Sequence, residues 1–338
     1  MVRATACARA ETTHEVSAPL TASTLVSVGG MDMGPVPPAF SWAHLWLWHL
    51  GWVPAVLLVG ALACYLVGVS RVRTWSAART TCFVAGIVVT FLATQSVLGV
   101  YDMVLFSDHM VQHLLLIMVA APLFAIASPL ELAWKSTSGT AHVVVTEALR
   151  SPVAKFFGHP VVAFVLYAVL IPVSHLTNWY NYTLTQGSVH NAEHLVFLVV
   201  GYLFWRQIFG NDPNKYRLHP GLQFFYLFLA IPIDTFTGLS LAGTAKEMFP
   251  AYLATHRAWG PTYVNDLHIG GSIMWVVGDT LMLWPMIPVA LRWMHREERK
   301  AARIDRELDA QAATAAAADG AQPPRSINST RTPSGSVQ

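Results

Sequence analysis

The chain has 338 residues, 12% of them charged and 54% hydrophobic, where a soluble domain has roughly 25% and 45–50%. The formal net charge is only +2 and the three cysteines, Cys7, Cys64 and Cys82, are scattered. A soluble enzyme, a nucleic-acid binder, a disulfide scaffold and a thiolate metal cage are all poor fits to this composition.

Taken in chain order, Met1 to Gly30 is broken by charged and small polar residues and lacks the apolar core of a signal peptide. The first membrane helix is therefore expected to direct insertion. Apolar stretches of about 20 residues, the length that crosses ~30 Å of hydrocarbon, follow at roughly 46–69, 81–100, 109–130, 157–176, 190–209, 220–241 and 267–291. They predict an all-α fold: a polytopic membrane helix bundle of about seven transmembrane helices. Residues 1–44 read as an extracytoplasmic tail, largely disordered, 45–294 as the membrane domain, and 295–338 as a cytoplasmic tail with an amphipathic helix and then disorder. Kinks are expected at Pro122 in the third span and at Pro232 with Gly238 in the sixth.

Orientation follows from lysine and arginine in the connections. Arg71, Arg73 and Arg79, then Lys135, Arg150 and Lys155, then Arg206, Lys215 and Arg217 mark alternate loops, and eight more run from Arg292 to Arg331. The opposite side holds only Arg3, Arg9, Lys246 and Arg257, four of the 21. The positive-inside rule then predicts the N-terminus outside and the C-terminus in the cytoplasm. Trp42, Trp46, Trp48 and Trp52 crowd the outer entry of the first helix, where amphipathic rings favour the headgroup level.

This topology sorts the histidines. His44, His49, His109, His113, His175, His190, His194, His256 and His268 fall outside or at outer helix ends, whereas His142, His159, His219 and His295 fall inside. In His109-Met110-Val111-Gln112-His113 and His190-Asn191-Ala192-Glu193-His194 two rings stand at i and i+4 on one helix face. Four residues rise ~6 Å, so both pairs belong to one shallow layer, with His49, His175 and His268 close in depth. Neutral imidazole ligates copper, zinc, iron and nickel alike, so spacing does not name a metal, and interfacial hydrogen bonding between helices serves such residues equally well.

His109, His113, His190 and His194 are the candidate ligands, with His49, His175, His268 and Met110 as weaker ones. Gln112 and Glu193, between the paired rings, could orient them. Met31 and Met33, with Met103 and Met110, offer thioethers suited to Cu(I). Asp234 and Asp279 sit deep in the sixth and seventh spans, where a charge is costly unless paired or hydrated, and are candidates for a proton or cation relay. No nucleophile elbow, phosphate loop or HExxH motif occurs.

His109-Met-Val-Gln-His-Leu-Leu-Leu, followed by Ala121-Pro122-Leu123 and Pro129, resembles the third-helix signature of the CtaG family of cytochrome c oxidase assembly factors, polytopic type. The fifth helix (His190-x-x-Glu-His-Leu, Gly201, Leu203-Phe204-Trp205) and the seventh (Asp266 through Gly270-Gly271 to Ile273-Met274-Trp275) resemble the same family in the same order. The resemblance implies a multi-pass protein of the bacterial plasma membrane, not an enzyme, that matures a caa3-type oxidase with a part in supplying copper. Its partners would be oxidase subunits and lipid, not nucleic acid. Carried over residue by residue it supports His109, His113, His190, Glu193, His194, Asp266 and Trp275; at His268 the family more often has glutamine. A membrane cytochrome with bis-histidine haem and a metal or cation transporter are the alternatives from the residues alone.

Overall fold

The computed structural model describes residues 25–28, 31–210, 212–213 and 216–320. Apart from one antiparallel hairpin, Leu25–Val28 with Met31–Pro35, these residues are helical or connecting. Of Met31 and Met33 only the backbone is described.

Seven long helices can be followed among the described residues. The first is Trp52–Arg71, the second Ala77–Gln95 with a short continuation Leu98–Tyr101, and the third runs over Phe106–Ser136. The fourth, Pro160–Leu176, bends by 75° into Asn178–Thr185. The fifth is Gly187–Phe209, the sixth Pro220–Ala242, and the seventh Tyr263–Gly320. Five of these are long and apolar enough to cross a membrane, six when the bent pair is taken as one span. The exception is the fifth: its 23 residues have the length, but His190, Asn191, Glu193, His194 and Arg206 dilute its apolar character. The seventh crossing expected from the sequence is thus the helix that carries half of the histidine layer.

The third helix is the centre of the bundle, with 67% of its apolar window buried against 11% for the first. It is not uniform. Leu115–Ala120 winds as π-helix, the Ala121 N–H reaching back to Leu116 O. In that register Ile117 O would next meet the nitrogen of Pro122, which has no hydrogen. The indole of Trp205 on the fifth helix donates to Ile117 O instead, at 2.7 Å, so the expected Pro122 distortion becomes an interhelical bond. The helix then breaks at Ser128, whose φ of 51° is left-handed. Pro232, by contrast, lies within an unbroken sixth helix.

Lipid offers no hydrophobic drive between helices, so close packing of small residues has to supply it. A Cβ at Gly238 would lie 2.8 Å from Gly271 O, and one at Gly271 would lie 2.7 Å from Gly238 O. The sixth and seventh helices are therefore in backbone contact there. The seventh helix continues without a break through the segment expected to form a separate amphipathic helix.

Candidate metal centre

The third helix opens at Phe106 with Leu105 before it, which has no side chain able to cap. Asp266 of the seventh helix does so from across the bundle. It accepts from Phe106 N at 2.8 Å, Ser107 N at 3.2 Å and Ser107 Oγ at 2.5 Å, and Arg257 holds it from behind at 3.4 Å. This cap places His109 in the first turn, facing the bundle interior.

The two i,i+4 pairs meet. Ring centroids are 4.3 Å apart for His109 and His113, 4.4 Å for His190 and His194, 5.0 Å for His109 and His190, and 6.0 Å for His113 and His194. All four rings are buried, as is His175 from the end of the fourth helix. Phe197 stacks on His113 at 3.9 Å, and Tyr180 lies against His109 at 5.0 Å. Tyr180 in turn bonds Tyr252 at 2.8 Å, and the Tyr252 hydroxyl donates to Asp102 O at 2.9 Å.

The acceptors at the edge of this cluster dictate the tautomers of neutral rings. His175 Nδ1 is 2.8 Å from Ile171 O, which can only accept, so Nδ1 carries the hydrogen and His175 Nε2 keeps its lone pair. His113 Nδ1, at 3.3 Å, must then donate to it, which leaves His113 Nε2 as acceptor. His109 Nε2, at 2.9 Å, donates in turn, and His109 Nδ1 is left with a lone pair. That atom is buried and has no hydrogen-bond partner. On the fifth helix, His190 Nε2 donates to Asp102 Oδ2 at 3.2 Å, so its free lone pair is also on Nδ1, again buried and unpartnered. Burial alone would raise the Asp102 carboxyl, but the hydrogen bond from His190 holds it below the ordinary carboxylate range.

Glu193 is buried between His190 and His194 with both oxygens lacking a hydrogen bond; the nearby Thr183 hydroxyl donates instead to Tyr180 O at 2.8 Å. His194 Nε2 and Asp102 Oδ1 are likewise unpartnered. Donor atoms of His109, His190 and Glu193 lie within 4.8 Å of one another, as do those of Asp102, His190 and His194. These two triads share His190, and every member keeps a buried atom without a partner. A third grouping, His109, His113 and His194, is equally compact, but both nitrogens of His113 are already committed. Buried polar atoms in folded proteins are nearly always satisfied, and here unpartnered atoms of five side chains are gathered in one place.

The remaining candidates are placed elsewhere. Gln112 donates to Ala93 O at 2.8 Å, towards the second helix and not to a histidine. His49 is exposed, and His268 contacts Thr244 O at 2.6 Å. Met110 lines a small cavity together with His113, His175 and Asp234. Asp234 accepts from Tyr167 at 2.6 Å and Asp279 from Thr235 at 2.6 Å. Trp275 packs by its backbone against Gly238. Asp102 and the Tyr180–Tyr252 pair escape a reading by spacing. The signal for Asp102 is an acid in the short connection just before a histidine-bearing helix.

A profile for the cytochrome c oxidase caa3 assembly factor family matches residues 63–296. The chain belongs to that family. The stretch matched to this assembly-factor family contains the whole cluster from Asp102 to His194 and leaves out His49. Uncharacterized proteins of Mycobacterium bovis and Mycobacterium tuberculosis are each 28% identical over 290 residues, covering 81% of this chain and 43% of theirs. One from Mycobacterium leprae is 28% identical over 269 residues, covering 75% and 41%. The chain thus spans less than half the length of these relatives. No solved structure matches.

Proposed function

We propose that this protein serves the maturation of a cytochrome c oxidase in the bacterial plasma membrane by holding a copper ion at the extracytoplasmic histidine–carboxylate cluster and passing it to an oxidase subunit. The observation that carries this reading is the set of inward-facing lone pairs on His109 and His190, beside the unpartnered carboxylate of Glu193. Two imidazoles and a carboxylate suit a divalent first-row ion, for which copper has the highest intrinsic affinity. Here the metal is cargo, and His194 with Asp102 offers a neighbouring triad through the shared His190, a second seat from which it could leave. Asp102 orients His190 as carboxylates commonly orient metal-ligating histidines.

The haem alternative finds no support in this geometry. A porphyrin needs an open slab between two facing rings, whereas the histidines here pack edge-on against one another and His109 and His113 are further covered by Tyr180 and Phe197.

Metal analysis of the purified full chain beside a His109→Ala, His113→Ala, His190→Ala, His194→Ala variant tests the proposal. Bound copper in the wild type, absent from the variant, together with loss of oxidase maturation in cells carrying the variant, is expected. Metal-free wild type, or normal oxidase in those cells, would overturn it.

A further inference from the structure

At the end of the bundle opposite the histidines, the fifth, sixth and seventh helices enclose a pocket of about 460 Å³. Arg206 enters it from the end of the fifth helix, Arg217 and His219 from the connection that follows, and Arg292 and Arg296 from the seventh helix, where they stand one turn apart on one face. Its lining, among the described residues, includes no carboxylate. Outside the lining, Asp212 accepts from Tyr202 and from Glu131 N and also attracts Arg206, and Glu297 lies 4.0 Å from His219.

The guanidinium groups of Arg206, Arg292 and Arg296 share this concavity, and an anion that takes several of their hydrogens at once relieves their mutual repulsion. Phosphate matches the arginine fork in geometry as well as charge. The 23-residue sixth helix also begins at this pocket, with Pro220 in its wall, and adds the positive end of its macrodipole. The pocket's depth in the membrane is marked by Trp293, whose ring packs on Gly221 and near Phe224 and Phe225 as interfacial indoles do.

We propose that this pocket binds a phosphate-bearing anion, either the headgroup of an anionic phospholipid or free phosphate. It is independent of the metal cluster, and either reading can fail without the other.

The test is the thermal unfolding midpoint of the full chain in phosphatidylcholine nanodiscs, with phosphatidylglycerol added to the discs in one arm and inorganic phosphate added to the buffer in the other. A rise in the first arm alone identifies a lipid headgroup, and a rise in the second identifies the free ion. The proposal expects the rise to vanish in R292Q/R296Q but to persist in R299Q/R303Q, which removes the same charge from the same helix outside the pocket. Phosphatidylglycerol carried into the gas phase with the protein should fall about tenfold in R292Q/R296Q, the effect of one lost charge-assisted hydrogen bond. Where that double variant does not fold, R296Q alone serves. No rise in either arm, or an equal loss in the two double variants, would overturn the proposal.

Discussion

Asp102 decides which nitrogen His190 turns towards the cluster. With its Nε2 hydrogen given to the carboxylate, His190 can offer a ligand only through Nδ1. Asp102→Asn keeps the shape but loses the charge that fixes the tautomer, and copper affinity is expected to fall by about 10–100-fold, as measured by competition with a chelator of known affinity. The same carboxyl links the site to pH. Its folded pKa is depressed, so the stability it contributes is present above its unfolded value of about 3.9 and is lost as pH falls towards the folded one. Below pH ~4 the wild-type melting midpoint should therefore fall more steeply than that of Asp102→Asn. A residue drawn in from a loop by a histidine on another helix leaves no periodic trace in the chain. Asp102 is thus marked in sequence only as an acid just ahead of a histidine-bearing helix, whereas the i,i+4 pairs are legible outright, because one helix face brings them together locally.

The elements hold this site through contacts that cross the bundle. Asp266 belongs to the resemblance motif, which carries no role for it; the structure shows that it caps the third helix from the seventh. Asp266→Ala leaves the N–H groups of Phe106 and Ser107 without acceptors and Arg257 unpaired, and is expected to cost about 1–3 kcal/mol, read from thermal unfolding. Copper affinity should fall with it, because His109 sits in the turn that loosens. Gly238→Ala meets backbone on the facing helix, which cannot move aside like a side-chain tip, and should destabilise by about 1–3 kcal/mol. Trp205→Phe strands the Ile117 carbonyl next to the π-helical stretch and is expected to cost about 1–3 kcal/mol by the same assay. The helices themselves were legible from apolar length. The cap of the third helix and the close approaches were not, since each depends on a partner more than 30 residues away.

For the molecule as a whole, the charge distribution and the histidine layer agree on one arrangement: arginines line a pocket at one end, and the metal candidates gather at the other. The fifth helix is the element on which the count of seven depends, because the polar residues that make the site also make it less apolar than its neighbours. If it crosses, cysteines at the exposed positions 188 and 213 lie on opposite sides. Ser188→Cys should then react with a membrane-impermeant maleimide added outside intact cells, and Pro213→Cys only after permeabilisation. Labelling of both from the same side would refute the crossing and with it the orientation assigned to the cluster.

Composition, apolar length and four-residue spacing required no knowledge of the fold to identify a membrane helix bundle with two stacked histidine pairs. Those properties are local, set by backbone geometry and by the cost of placing polar groups in hydrocarbon. Which donors face one another is a different matter. The entry of Asp102 and Glu193, the commitment of His113 to its neighbours, and the separation of His49, His268 and Gln112 from the cluster are all decided by how helices rotate and approach. That rotation is the outcome of many weak contacts between small residues, and no single stretch of chain contains it.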